Sequence, residues 1–184
     1  MQGRGGGYAR FGAMIATSML AMFALMYLNT YAPAHVRFSE TRLFMTFIMG
    51  AGMAVVMLSF MLAMYPDRRV NLAIYAASLL VFALSLWLVR SQATVGDRAY
   101  MKAMIPHHSI AILTSERARI GDARVRELAD GIIRAQRREI KEMDWLIDDI
   151  EKNGPARTPA EAAARPVPDF KGETEAEKHG RAPQ

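Results

Sequence analysis

Apolar and polar positions divide the chain into two regimes. No ionised side chain occurs between Arg10 and Arg37, between Arg42 and Asp67, or between Arg69 and Arg90. Each gap holds about the 20 apolar residues that a helix needs to cross a bilayer. The pattern predicts three membrane helices, over roughly 12–32, 43–65 and 70–89, behind a flexible glycine-rich leader at 1–11. Pro33 and Pro66 lie just past the first two, where a missing N–H and a ring clash stop a helix. Tyr8, Tyr27, Tyr31, Tyr65 and Trp87 fall near the ends, as interfacial aromatics do. A cleaved signal peptide is the alternative for the first stretch. Its apolar run is too long for that, and a proline occupies the cleavage-like Ala32-Pro33-Ala34.

From Asp97 to Glu151 charge returns and apolar positions recur at helical spacing. Asp97 suits an N-cap, and Gly121-Asp122 suits a turn. One helix then carries Met101, Met104, Ile105, His108, Ala111, Ile112 and Ser115 on a single stripe. The next carries Val125, Leu128, Ala129, Ile132, Gln136, Met143, Leu146, Ile147 and Ile150, with Glu139 and Ile140 at the margins. The fold class is therefore all-α: three transmembrane helices over 12–90, then an antiparallel helical hairpin over 91–152. Two helices of this length bury too little to stand alone. Either a homo-oligomer completes a four-helix bundle, or the stripe docks elsewhere in the chain. From Asn153-Gly154-Pro155 onward the chain holds five of the eight prolines and only Val167 and Phe170 as large apolar residues, so 153–184 is expected to be a disordered tail.

Charge sharpens this picture. The excess of +5 sits entirely in residues 1–90, where seven arginines face Glu40 and Asp67; residues 91–152 carry 11 basic and 11 acidic side chains, and 153–184 five of each. No basic face remains for phosphate binding, and nucleic acid is excluded as a partner. The arginines on the hairpin, Arg117, Arg119, Arg124, Arg126, Arg134, Arg137 and Arg138, alternate with acids and read as its solvated face. Arg4, Arg10, Arg68 and Arg69 against Arg37 and Arg42 lean toward a cytoplasmic N-terminus and an exported C-terminal domain. With no cysteine, disulfides and thiolate metal sites are excluded.

The chemistry concentrates at Met101-Lys102-Ala103-Met104-Ile105-Pro106-His107-His108. Pro106 removes a helical hydrogen bond, so a kink or a helix start is expected there. His108 lies near the centre of the stripe, Met101 and Met104 on the same face before it, and His107 on the flank. A turn centred near Gly121-Asp122 puts Ala135-Gln136 opposite His108, Glu139 opposite Met104 and Met143 near Met101. Imidazole binds many transition metals, whereas thioether sulfur selects Cu(I) or Ag(I). Gln136 is placed to hold the His108 ring in one tautomer. In the competing reading these residues are packed core in a non-metal interaction module. His35 and His179 are expected to be solvated. Methionine is also abundant in the apolar half: Met45, Met49, Met53, Met57 and Met61 recur every four residues along the second span, and Met19, Met22 and Met26 form a row on the first. Flexible apolar filler accounts for such rows, and so does a ladder of thioethers for a soft cation. Enzyme motifs are absent: no Glu-x-x-His pair, no His-Glu-x-x-His and no Gly-x-Ser-x-Gly.

The run Met104-Ile105-Pro106-His107-His108, followed by Ala111-Ile112, Arg126-Glu127-Leu128-Ala129, Ile132-Ile133, Ala135-Gln136, Glu139-Ile140 and Met143, resembles the domain-of-unknown-function family DUF305 over about 97–150. That resemblance implies a ferritin-like helical bundle, exported or membrane-tethered in bacteria, with copper or silver bound by some members. It implies Met104, His107, His108 and Met143 as metal ligands, with Met101 as a further one; the helical projection puts Gln136 and Glu139 behind them. This chain departs from the family pattern at Thr114, where a methionine is usual, and at Ser109-Ile110, where Gln-Gly is common. The sequence therefore predicts a non-enzymatic, Cu(I)-binding protein of the bacterial inner membrane. Its hairpin is periplasmic, and its partners are the bilayer, a second copy and other copper-handling proteins.

Overall fold

Capping chemistry fixes where the apolar runs become helices. The computed structural model describes residues 4–179. Among these the regular elements are all helical: α1 (Arg4–Leu25), α2 (Glu40–Phe60), α3 (Arg68–Ser91), α4 (Asp97–Arg117), α5 (Ala123–Asn153), α6 (Pro159–Ala164) and α7 (Glu175–Lys178), with short 3-10 turns at Pro33–His35 and Leu62–Met64. Ser39 caps α2 by accepting from the Arg42 N–H at 3.2 Å, and the Asp67 carboxylate caps α3 through the Arg69 and Val70 N–H groups. The first helix starts at Arg4, so the expected flexible leader is helical from there on; residues 1–3 lie outside the described residues. Tyr8 and Phe11 overcome the helix cost of the glycines by packing on Tyr65, with ring centroids 5.1 and 5.4 Å away. The helix ends at Leu25, well short of residue 32, because Arg42 takes the Met26 carbonyl and stacks 4.4 Å over the Tyr27 ring.

Two compact units result. The first holds residues up to 28 and 39–95, the second 29–38 and everything from 96. In the first unit α1, α2 and α3 contain stretches Gly6–Leu25, Glu40–Phe60 and Arg68–Ser91 that are long and apolar enough to cross a membrane. Here α2 packs against both α1 and α3. The buried positions of α3, Asn71, Ser78 and Ser85, are spaced by seven, and α2 buries Thr46, Gly50, Ala51, Ala54 and Leu58. Small residues let apolar helices approach closely where lipid supplies no hydrophobic drive. Leu72, Leu79, Leu80, Leu84 and Trp87 stay exposed on the other side of α3.

The link between α1 and α2 reads from the sequence as part of the membrane domain, yet 29–38 falls in the second unit. There Ser109, fully buried on α4, accepts from the Tyr31 N–H at 2.7 Å and bonds His35 Nδ1 at 2.9 Å, while Arg37 pairs with Asp144 at 3.2 Å. The expected solvation of His35 is thereby corrected. Antiparallel pairs run along α4 and α5, from Arg98–Glu151 through His108–Glu139 to Arg126 on the Ser115 carbonyl. Pro106 sits inside α4, so no helix starts at that residue. The buried face of α5 is Ala129, Ile133, Arg137, Ile140, Met143 and Ile147, rotated from the expected stripe, and Val125 and Leu128 are exposed. An arginine at its centre disguises this face on a helical projection.

The described part of the tail lies against α5, where an open, disordered segment was expected; residues 180–184 lie outside the described residues. Polar contacts replace the missing apolar ones. Thr158 with Glu161 and Thr174 with Glu177 form reciprocal caps that start α6 and α7. Arg165 binds Asp149 at 2.6 Å, Lys141 donates to the Lys171 carbonyl at 2.7 Å, and Arg134 pairs with Glu177 at 3.0 Å. At Gly172 the tail lies so close to α5 that an added Cβ would overlap the backbone at Arg134. Gly172→Ala is therefore expected to lift the tail and cost about 1–3 kcal/mol, as overpacking does. Limited proteolysis checks this: cleavage between 155 and 178 should accelerate in Gly172→Ala, while an unchanged rate would contradict the docking.

Candidate functional site

The predicted ligands separate into three environments. Met101 and Met143 are buried and Met104 is half-buried, and all three belong to one cluster with Ile105, Ile112, Ile140 and Ile147. Beside it His108, 8% exposed, bonds both ring nitrogens: Nδ1 to the Met104 carbonyl at 3.0 Å and Nε2 to Glu139 Oε2 at 2.7 Å. A carbonyl only accepts, so Nδ1 carries a proton. The short bond to Glu139 then needs a second proton, on Nε2 or on the carboxyl. His107 is exposed, its ring centroid 6.1 Å from that of His108. Glu139 holds the ring in the place expected of Gln136, about one helical turn further along α5.

Among the described residues no group of three or more His, Cys, Asp or Glu is arranged for a metal, and Met101, Met104 and Met143 share one apolar cluster. The imidazole joins them only by giving up Glu139, since neither ring nitrogen of His108 is free. His107 approaches from solvent and is no part of the cluster.

Sequence reasoning missed Arg137, assigned to the solvated face but only 8% exposed. Its Nη2 reaches Glu175 at 2.7 Å, the Tyr31 hydroxyl at 3.0 Å and Glu116 at 3.1 Å; Nη1 donates to the Glu173 carbonyl, and the guanidinium lies 5.3 Å over the Tyr31 ring. One side chain thus joins α4, α5, the 29–38 segment and the tail. Burial raises the Tyr31 pKa, helped by the bond to Glu175, and burial lowers that of His35. The Lys178 ammonium, then the Tyr31 hydroxyl and Arg137, hold Glu175 at about 2, down from 4.5. The signal that could have exposed the arrangement is the pair of Thr-x-x-Glu caps, each starting a helix in a segment read as disordered.

Two outcomes follow. Replacing Glu139 with Leu leaves a buried ring nitrogen without its partner and is expected to cost about 1–3 kcal/mol. The double variant Glu139→Leu/His108→Leu should recover part of that loss in a denaturation cycle; purely additive losses would show that the pair is uncoupled. Because the Glu175 pKa is depressed on folding, its contribution is complete above pH 4.5 and is lost as the pH falls toward about 2. Protease sensitivity of the tail should therefore rise below pH 4.5 in the wild type, and should already be high at neutral pH in Glu175→Gln. A tail equally protected in both proteins would argue against the contact.

An uncharacterized protein of Acanthamoeba polyphaga mimivirus is 29% identical over 144 residues, which cover 74% of this chain and 93% of that protein. So large a share cannot fit within residues 91–184, so the likeness reaches into the apolar half. No solved structure matches the chain. The family described as "Domain of unknown function (DUF305)" matches residues 91–183, so that α4, α5 and the docked tail all fall inside the match, and the chain belongs to that family.

Proposed function

We propose that the chain is a membrane-anchored metal-handling protein whose α4–α5 hairpin carries a Cu(I)- or Ag(I)-class ion as cargo. The observation that carries this reading is the convergence of Met101, Met104 and Met143 on one cluster beside His108. The three thioethers supply neutral, polarizable donors, His108 adds an imidazole on exchanging its Glu139 bond, and exposed His107 offers a first contact from solution. The stretches Gly6–Leu25, Glu40–Phe60 and Arg68–Ser91 anchor the protein in a bilayer. Three crossings place the α1–α2 link and everything after α3 on one side of it. The bonds from Tyr31, His35 and Arg37 to the hairpin support that reading. The arginine bias favours the exported side of a bacterial inner membrane, with the N-terminus in the cytoplasm.

The second reading, a helical interaction module without metal, is favoured by one observation: both nitrogens of His108 already have protein partners, as in a satisfied core histidine. The two readings differ in sign. A ligand that binds only the native state raises stability by RT ln(1 + [L]/Kd), about 2.7 kcal/mol at a hundredfold excess over Kd. Cu(I) or Ag(I) should raise the melting temperature of the full chain by several degrees; His108→Leu should remove the hairpin's share of the shift and Met104→Leu should weaken it. Equal shifts in the three proteins, or none in the wild type, would sink the metal reading and leave the interaction module.

A further inference from the structure

The methionine rows of the apolar half take no part in the hairpin site. Eleven of the 14 methionines lie in the first 64 residues, and α3 has none. This contrast is internal to one unit. The third helix packs against α2 with Asn71, Ser78 and Ser85 buried and sends Ile74 and Tyr75 to the cluster on which Met14, Met57 and Met61 also pack, while Met19 fills the notch at Gly50.

That cluster is built around Phe11, Leu58 and Tyr65, with Tyr65 tilted against Tyr8 and edge-on to Phe11. Its rim is fixed by polar bonds. The Tyr8 hydroxyl accepts from the Asp67 N–H at 3.1 Å and bonds Asn71 Oδ1 at 2.9 Å, and Asn71 Nδ2 donates to the Tyr65 carbonyl at 2.8 Å. The Tyr75 hydroxyl is engaged with Ser59 at 2.8 Å. With the Tyr8 and Tyr75 hydroxyls committed, the cluster offers a guest thioether sulfur and aromatic faces. Neutral donors cannot offset a buried divalent charge, whereas sulfur and ring faces stabilise a soft monovalent ion. The fixed aromatic wall supplies rigidity, and the flexible methionine side chains supply adjustment.

We propose that Met14, Met57 and Met61, one from α1, one from α2 and one just past its end, form a second soft-cation site in the membrane-type unit, specific for Ag(I) and Cu(I). It needs no contribution from the hairpin. The test uses the full chain in detergent micelles, loaded with Ag(I), which requires no reductant, then desalted and assayed for silver per chain. Met14→Leu/Met57→Leu/Met61→Leu should carry about one silver fewer than the wild type with unchanged helix content by circular dichroism, since Leu keeps the volume and removes the sulfur. The hairpin variant Met101→Leu/Met104→Leu/Met143→Leu should keep that silver, whether or not the hairpin binds one of its own. The exposed pair Met45→Leu/Met64→Leu is expected to match the wild type. If the triple variant does not fold, Met14→Leu and Met57→Leu alone should each weaken retention about tenfold. X-ray absorption of the silver-loaded hairpin variant should also show sulfur neighbours. Wild-type silver content in the folded seam variant, an equal loss in the exposed pair, unweakened retention in the single variants, or an oxygen and nitrogen shell would each overturn the proposal.

Discussion

A guanidinium withdrawn from water has to be surrounded by acceptors, and the way Arg137 meets that demand organises the second unit. Glu116 comes from α4, Tyr31 from the α1–α2 link, and Glu175 with the Glu173 carbonyl from the tail. None of these segments holds its place through apolar burial alone. Removing one partner from a buried charged group costs far more than the pair is worth in water, so the four segments depend on one another. The methionine and isoleucine cluster lies on the same helices, which places the proposed cation site in a frame fixed by charge.

How much of this could be read from the residues depends on which force shaped each part. The apolar runs before α4 announce themselves because lipid-compatible helices need long stretches without charge, and three long apolar helices are present. Their ends were less legible. Leu25 terminates α1 because Arg42 captures the Met26 carbonyl, a contact 16 residues away that no local pattern reveals. On α5 the projection places Ala129, Met143 and Ile147 on the buried face, with Ile140 at its margin, but leaves out Ile133 and Arg137, because an arginine stands at the middle of that face. The tail was judged by its shortage of large apolar residues, whereas caps and ion pairs are what order it.

The candidate site shows the same division. Spacing puts Met101, Met104 and His108 on one face of α4, and the structure gathers the two methionines with Met143. Spacing could not identify the partner of His108, since the choice between Gln136 and Glu139 turns on a shift of about one helical turn across the loop between α4 and α5. Of the two outcomes expected at Pro106, a kink or a helix start, the helix start is ruled out: the residue lies inside α4 with its ring fully buried, where packing offsets the lost hydrogen bond.

The Tyr31–Glu175 bond spans 144 residues, and the Arg37–Asp144 pair spans 107. The α1–α2 link leaves the ribosome early, with Arg137 and Glu175 still to be made, so its tyrosine and histidine must remain solvated through most of synthesis. Non-local contacts of this kind form late and slowly, because loop-closure entropy is lost before they reward it. Chain termination just short of Thr174 would leave a product with all its long helices and without Glu175, the acid that pairs with Arg137.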